Sequence, residues 1–426
     1  MATQHVIVGA GPAGVIAAET LKDIDNAASV VLLGDEPEPP YSRMALPYYL
    51  IKQIKEEGTH LRKTADHFSA LGIDLRQDRV ASVDTQGKQL AMASGDTLPY
   101  DRLLICTGSR PVSPPVPGID MEGIYTCWTL ADGRNIIERA RPGAKVVLLG
   151  AGFIGCIILE ALARSGAELT VVEMEDRMVP RMMNDKAGNL IKSWCIEHGV
   201  NVHTSTRAEE IKPGSSGTRF DVVLSTGETI PADMIVQATG VKPNIDLLEG
   251  TGIETNLGIL VNEHMQTSDP SVFAAGDVAE GRDFSTGEYS VQAIQPTAAD
   301  HGLLAARNMA GLGGARHQGS VNMNVLDTLG LISSSFGLWM GADGGESTEL
   351  YDPERYRYLN LQFEDDILVG ATSLGLTQHV GVMRGLIQSK THLGKWKERL
   401  MDDPTRIMEA YLANTQAIGF NSAVFK

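Results

Sequence analysis

The sequence predicts an α/β chain of two Rossmann-like dinucleotide-binding domains followed by a C-terminal α+β domain, and three observations predict it. An apolar strand runs through glycines at G-x-G-x-x-G spacing into a helical stretch twice, at residues 5–14 and 146–155. Two later apolar strands close on Thr-Gly turns, at Thr107-Gly108 and Thr239-Gly240. From about Val321 the pattern changes to short strands and then helices. A single glycine-rich loop is weak, because many are only turns; two, each with its strand and helix, make a pair of nucleotide sites the central inference.

In the first loop Gly9 permits the tight turn, and Gly11 removes a side chain that would hold a pyrophosphate away. Gly14 lets the helix pack closely on the strand. The helix, expected over residues 15–22 behind Pro12 and Ala13, turns unpaired N–H groups and its positive dipole end toward the phosphates. The second strand, residues 29–33, ends at Gly34-Asp35-Glu36. An acid about 20 residues past the glycines accepts ribose hydroxyls. Asp35 is the first candidate and Glu36 the second, with a solvated turn acid the plainer reading of either.

Residues 73–83 and 88–92 read as short strands, and the proline-rich residues 113–118 as a linker into the second domain. There Gly150, Gly152, Phe153, Ile154 and Gly155 repeat the loop, with a helix over residues 156–165. The next strand, residues 169–172, ends at Glu173, 18 residues past Gly155. A glutamate there accepts the adenosine 2′-hydroxyl and repels a 2′-phosphate, so NADH is preferred over NADPH. Arg177 is the cation that could weaken this by taking a phosphate. Farther on a strand ends at Gly276-Asp277, and Gln295-Pro296-Thr297 starts a helix over residues 298–309. His301 inside it reads as a core or surface histidine before an acid–base group. Strands at 321–332, 355–363 and 367–373 and helices at 378–388 and 405–414 complete the chain. The expected domains are 1–115 with 245–320, then 116–244, then 321–426, the return of 245–320 to the first being what the family resemblance given below implies.

Composition narrows the class. The formal charge of −17 opposes a nucleic-acid partner, and no apolar run reaches transmembrane length. Cys106, Cys127, Cys156 and Cys195 are widely spaced, which fits reduced packing thiols in a cytoplasmic protein. No metal-ligand spacing and no nucleophile–base motif is found.

The segment Tyr41-Ser42-Arg43-Met44, taken with both glycine motifs, the Thr-Gly turns and Gly276-Asp277, resembles the FAD-dependent pyridine nucleotide-disulfide oxidoreductases. The likeness covers nearly the whole chain and is strongest to the branch of NADH:rubredoxin and ferredoxin reductases, coenzyme A disulfide reductases and NADH oxidases. It implies FAD in the first domain and NADH in the second. By the same resemblance Arg43 lies near the FAD pyrophosphate, although a surface arginine remains the alternative, and Val80 lies beside the adenine. Asp277 accepts from the ribityl chain, and the helix opened by Gln295 points at the flavin pyrimidine edge. The C-terminal domain is implied to form a homodimer.

Two departures matter. Disulfide-reducing members carry a redox cysteine where this chain has Met44, and a thioether forms no thiolate. Many relatives carry a glutamate two residues past the last glycine of the NAD motif, where this chain has Ile157; Glu160 follows nearly one turn later. A lysine common in ferredoxin-reductase relatives is also absent from Leu46-Pro47-Tyr48. The expected function is hydride transfer from NADH to FAD, then electron delivery to a small carrier such as rubredoxin or ferredoxin. The local cations Arg384, Lys390, Lys395, Lys397 and Arg399 would steer an acidic carrier, or are a solvated helix surface. An NADH oxidase or quinone-type reductase is the second reading. A flavin-bearing subunit or redox-sensing interaction protein with little NADH turnover is the third.

Overall fold

Five parallel strands form the first sheet, in the order Val272–Ala274, Arg102–Ile105, Gln4–Val8, Ser29–Gly34, Ile73–Gln77. The structure, a computed structural model, describes residues 3–215 and 217–414; residues 415–426 of the expected C-terminal domain lie outside it. The first four strands are largely apolar because both sheet faces are covered there, and Val6, Ile7, Leu103 and Leu104 are fully buried, while the edge strand Ile73–Gln77 is mostly exposed. Val8 stands in register with Leu33 on one side and Ile105 on the other. The three strand ends therefore share one edge, where ligands of such sheets bind. The helices Pro12–Ile24 and Gln295–Met309 both start there: a Cβ on Gly276 would lie 3.4 Å from Ala13 and 3.5 Å from Ala298.

The second sheet repeats the plan with Asn201–His203, Glu168–Val172, Lys145–Leu149, Met234–Gln237 and Ile124–Tyr125, all parallel. Between the sheets the outgoing strand Ser109–Pro111 pairs antiparallel with the returning strand Val241–Pro243. Side chains lock the crossing: the Thr107 hydroxyl donates to the Asn244 carbonyl at 2.8 Å, and the Thr239 hydroxyl to that of Val112 at 2.7 Å.

The third sheet is antiparallel, ordered Met323–Thr328, Leu331–Gly337, Ile367–Leu374, Arg357–Glu364, Glu346–Asp352. Its Leu326, Leu331, Tyr358 and Leu374 join the core of the second sheet, so this layer is packed onto the nucleotide domain rather than tethered to it. Helices Val380–Ser389 and Lys395–Asp402 cover it.

Several element bounds differ from expectation. Both loop helices begin earlier, at Pro12 and Phe153, so the last glycine of each motif lies inside the first turn. The expected strand 73–83 is two strands, because the Asp78 carboxylate accepts the next backbone N–H at 2.7 Å and turns the chain out of the sheet. Residues 321–332 hold a hairpin: Leu329 and Gly330 both have positive φ, 54° and 86°, and the Gly330 N–H donates to Asp327. The edge strand Glu346–Asp352 and the helix Lys395–Asp402 were not expected. Among the described residues no helix is long and apolar enough to cross a membrane, and no cluster of three or more metal-binding side chains occurs.

Candidate functional site

Both glycine loops open on one cavity of about 1730 Å³. Their glycines divide the work in the same way. Gly9 (φ +116°) and Gly150 (φ +98°) take left-handed conformations, and Cβ atoms there would lie 2.1 Å from the Cys106 carbonyl and 2.6 Å from that of Ala238. Gly14 and Gly155 are the packing glycines, with Cβ positions 1.9 and 2.1 Å from the carbonyls of Gly9 and Gly150. At Gly11 and Gly152 a Cβ would meet nothing within 4 Å. The space they keep open is the cavity itself, and neither helix start above it has a side-chain cap. Two cradles of free N–H groups, each at a positive helix end, suit two pyrophosphates.

The acids differ. Asp35 lines the cavity and is exposed. Glu36 lines it too, but its oxygens are engaged, one by the Arg43 guanidinium at 2.7 Å and one by the Tyr41 hydroxyl at 2.6 Å. Arg43 also donates to the Trp128 carbonyl at 2.6 Å and stacks over the Trp128 ring. It faces the cavity as a braced cation. Glu173 is buried, accepting from the N–H of Ala151 at 2.6 Å and of Glu175 at 2.9 Å. A carboxylate has about four acceptor positions, so each oxygen keeps a lone pair for a ribose hydroxyl.

Val80, Thr107, Gly108, Thr239 and Gly240 line the same cavity, as do Gly276, Asp277 and Gln295. Asp277 accepts from the Ser109 hydroxyl at 2.9 Å. Burial pushes its carboxyl above the usual range, while Ser109 and Arg43 pull it back.

Three candidates stand elsewhere. Arg177 does not line the cavity: it donates to the carbonyls of Met183 and Pro180 and pairs with Asp176 and Asp185, fastening its own loop. The second domain's cations that do line the cavity are Arg164, Arg181 and Arg207, which the sequence does not single out. Pro296 and Thr297 line a separate hollow of about 320 Å³ with His317 and Arg384. At 100° per residue only Gln295 and Ala298 of that helix start turn to the large cavity. His301 is a core residue, 2% exposed, whose ring nitrogen shares the Ser320 hydroxyl with His317. Burial lowers its pKa to about 3.

The family model described as pyridine nucleotide-disulphide oxidoreductase matches residues 3–302. The chain belongs to that family. Membership brings oxidoreductase chemistry and the cofactor pair FAD and pyridine nucleotide, which the two uncapped glycine cradles fit. Among the relatives of this member is the NADH-dependent phenylglyoxylate dehydrogenase subunit epsilon of Aromatoleum evansii, 30% identical over 97% of this chain and 98% of the other. The NADH oxidase of Methanocaldococcus jannaschii is 30% identical over 72% of this chain and 70% of its own length. Among solved structures, the ferredoxin reductase for the CYP199A2 system from Rhodopseudomonas palustris is similar with TM-score 0.86 and 26% identity. It covers 96% of this chain and all (100%) of the other.

Within the family the two departures sit at the cavity wall. Met44, 47% exposed, lines the cavity. Cys106 and Cys127 also border it, yet all four cysteines are buried and free, and burial pushes the Cys127 thiol up to about 12. No thiolate is available near neutral pH. Ile157 and Glu160 share the cavity-lining face of helix Phe153–Arg164. Glu160 is paired with Arg164 at 2.7 Å, and burial together with Asp327 raises its pKa.

Proposed function

We propose that this oxidoreductase takes reducing equivalents from NADH and delivers them to a small redox-protein acceptor of the ferredoxin or rubredoxin type. The observation that carries it is the single cavity onto which both cradles open, walled at the expected acceptor position by Met44 instead of a cysteine. FAD, when bound, supplies the hydride-accepting ring and splits the electron pair. The chain's residues orient and select. The cradles of Gly9–Gly14 and Gly150–Gly155 bind the pyrophosphates, Asp35 or Glu36 and Glu173 the riboses, and Asp277 a ribityl hydroxyl. Arg43 supplies fixed positive charge beside them. Bringing two rings together supplies most of what hydride transfer requires, so no acid–base pair is invoked.

A second reading, as the flavin-bearing subunit of a larger NADH-linked dehydrogenase, is favoured by the match to a subunit over nearly both full lengths. Similarity to an NADH oxidase supports dioxygen or a quinone-type small molecule as a third acceptor class. A homodimer through residues 321–426 and a cytoplasmic setting belong to the proposal; the four reduced thiols suit the latter.

The test is anaerobic stopped-flow mixing of the FAD-loaded protein with NADH and with NADPH, followed at the flavin band. Fast bleaching by NADH, with slow bleaching by NADPH, is expected. Reoxidation is then timed with ferredoxin, rubredoxin, dioxygen and a soluble quinone. Fastest reoxidation by a carrier protein supports the first reading, and oxygen uptake matching NADH loss without a carrier replaces it with the third. Absence of bleaching despite bound FAD overturns NADH as donor.

A further inference from the structure

We infer that the smaller hollow beside helix Gln295–Met309 binds a small organic acid, its carboxylate held by Arg316, Arg384 and Thr297 and its apolar body lodged against the wall behind them. The inference goes beyond the proposed function, because no step of the electron transfer uses this hollow.

Three elements converge on the hollow, whose volume is about 320 Å³. Helix Gln295–Met309 turns one face to it, with Thr297, Asp300 and Leu304 at spacings of three and four. Arg316 comes from the segment that follows this helix, and Arg384 from helix Val380–Ser389 of the C-terminal layer. Pro296, Leu303, Val321 and Met323 supply an apolar wall. An apolar enclosure with a few convergent polar groups is how small-molecule sites are built.

The polar groups there are mostly donors, and they are not spent on one another. The Arg316 guanidinium has no partner among the described residues. Arg384 uses only Nε, which donates to Gln388 Oε1 at 3.2 Å, and keeps both its NH2 groups. Thr297 is 8% exposed, yet its hydroxyl has no partner among the described residues. A polar group so buried costs free energy until it is hydrogen-bonded. Two guanidinium charges stand against one carboxylate, Asp300, and His317 adds no charge near neutral pH because burial lowers its pKa. The lining is therefore cationic in a chain of formal charge −17. A planar carboxylate matches the guanidinium fork. The wall demands more than charge, since a bare anion would leave that apolar surface in water. Ile294 and Met323 line both this hollow and the large cavity, which gives the bound acid contact with the cofactor wall.

Benzoate is the probe, titrated by calorimetry into the FAD-loaded protein saturated with NAD+, so that both glycine cradles are filled. Saturable binding with a Kd of about 1 mM or tighter is expected. Benzyl alcohol has the ring without the charge, and propionate has the charge of an acidic side chain without the ring. Each is expected to bind at least about tenfold more weakly. Arg384→Gln should weaken benzoate at least about tenfold, and Thr297→Val, which keeps the shape without the hydroxyl, about three- to tenfold. No saturation by about 10 mM benzoate, or unchanged binding in both variants, overturns the inference. Propionate binding as tightly as benzoate also overturns it, and gives the hollow to an acidic side chain of a partner protein instead. Failure of the wild type to hold FAD removes the cofactor assignment but leaves this test intact, since wild-type and Arg384→Gln apoproteins are compared in the same way. Should Arg384→Gln not fold by circular dichroism, Arg316→Gln decides, with the same loss expected and unchanged binding refuting the site.

Discussion

Glu173 and Arg177 stand four residues apart in sequence but have separate tasks in the fold. Glu173 holds the glycine loop through the Ala151 N–H and lines the cavity; Arg177 is spent on two carbonyls and two aspartates. Replacing Glu173 by Ala is therefore expected to lower kcat/KM for NADH by about 10- to 100-fold, the loss of one or two charge-assisted hydrogen bonds. The NADPH to NADH ratio should rise. Arg177→Ala is expected to leave that ratio within about twofold and to cost about 1–2 kcal/mol of stability instead. Steady-state kinetics with both nucleotides beside urea titrations separate the two, and a large ratio change in Arg177→Ala would reverse the assignment. The acid's position was legible because a ribose contact demands a carboxylate at the strand end. The fate of Arg177 was not, because its acceptors are carbonyls of its own loop, which spacing does not reveal.

The strand–loop–helix unit makes a sharper prediction, because its glycines serve opposite needs. Gly11 has φ −79°, which alanine adopts freely, and its Cβ would enter open cavity. Gly11→Ala is expected to leave stability unchanged or to raise it by up to about 1 kcal/mol, while FAD affinity falls more than about tenfold. Gly14→Ala drives a Cβ to 1.9 Å from the Gly9 carbonyl and is expected to cost at least about 2–3 kcal/mol even without ligand. Denaturant titrations of the apoproteins check the contrast, and equal stability of the two variants would refute it. Elements like this were readable because covalent geometry forces glycine at fixed offsets. The edge strand Glu346–Asp352 was not, since its residues are mostly exposed and carry no apolar alternation. Helix Lys395–Asp402 was masked by its charge, being a short turn of basic and acidic side chains around buried Leu400. Pro296 and Thr297 fall on the smaller hollow because a helix start names three residues while only one face of it turns to the large cavity.

The whole molecule carries a pH dependence set in its interior. His301 is held neutral in the fold with a pKa near 3, by burial first and then by His317, whose own pKa is lowered by burial against an opposing pull from Asp300. The unfolded chain takes up this proton near pH 6.5. Between those values the unfolded state binds more protons, so stability is full above about pH 7 and falls as pH drops. His301 alone is expected to remove about 2 kcal/mol between pH 7 and pH 5. His301→Asn should flatten that slope in urea titrations, and an unchanged slope would locate the pH dependence elsewhere.

The paired strands Ser109–Pro111 and Val241–Pro243 have a consequence for how such a molecule is assembled. The chain leaves the first sheet and comes back to it at hydrogen-bonded neighbours, Pro111 beside Val241 and Ser109 beside Pro243. Everything between is thus a cassette whose two ends meet at one seam. Splicing it in or out displaces no strand of the host sheet, but a foreign cassette would also have to offer Leu326, Leu331, Tyr358 and Leu374 of the C-terminal layer the apolar seat they have here.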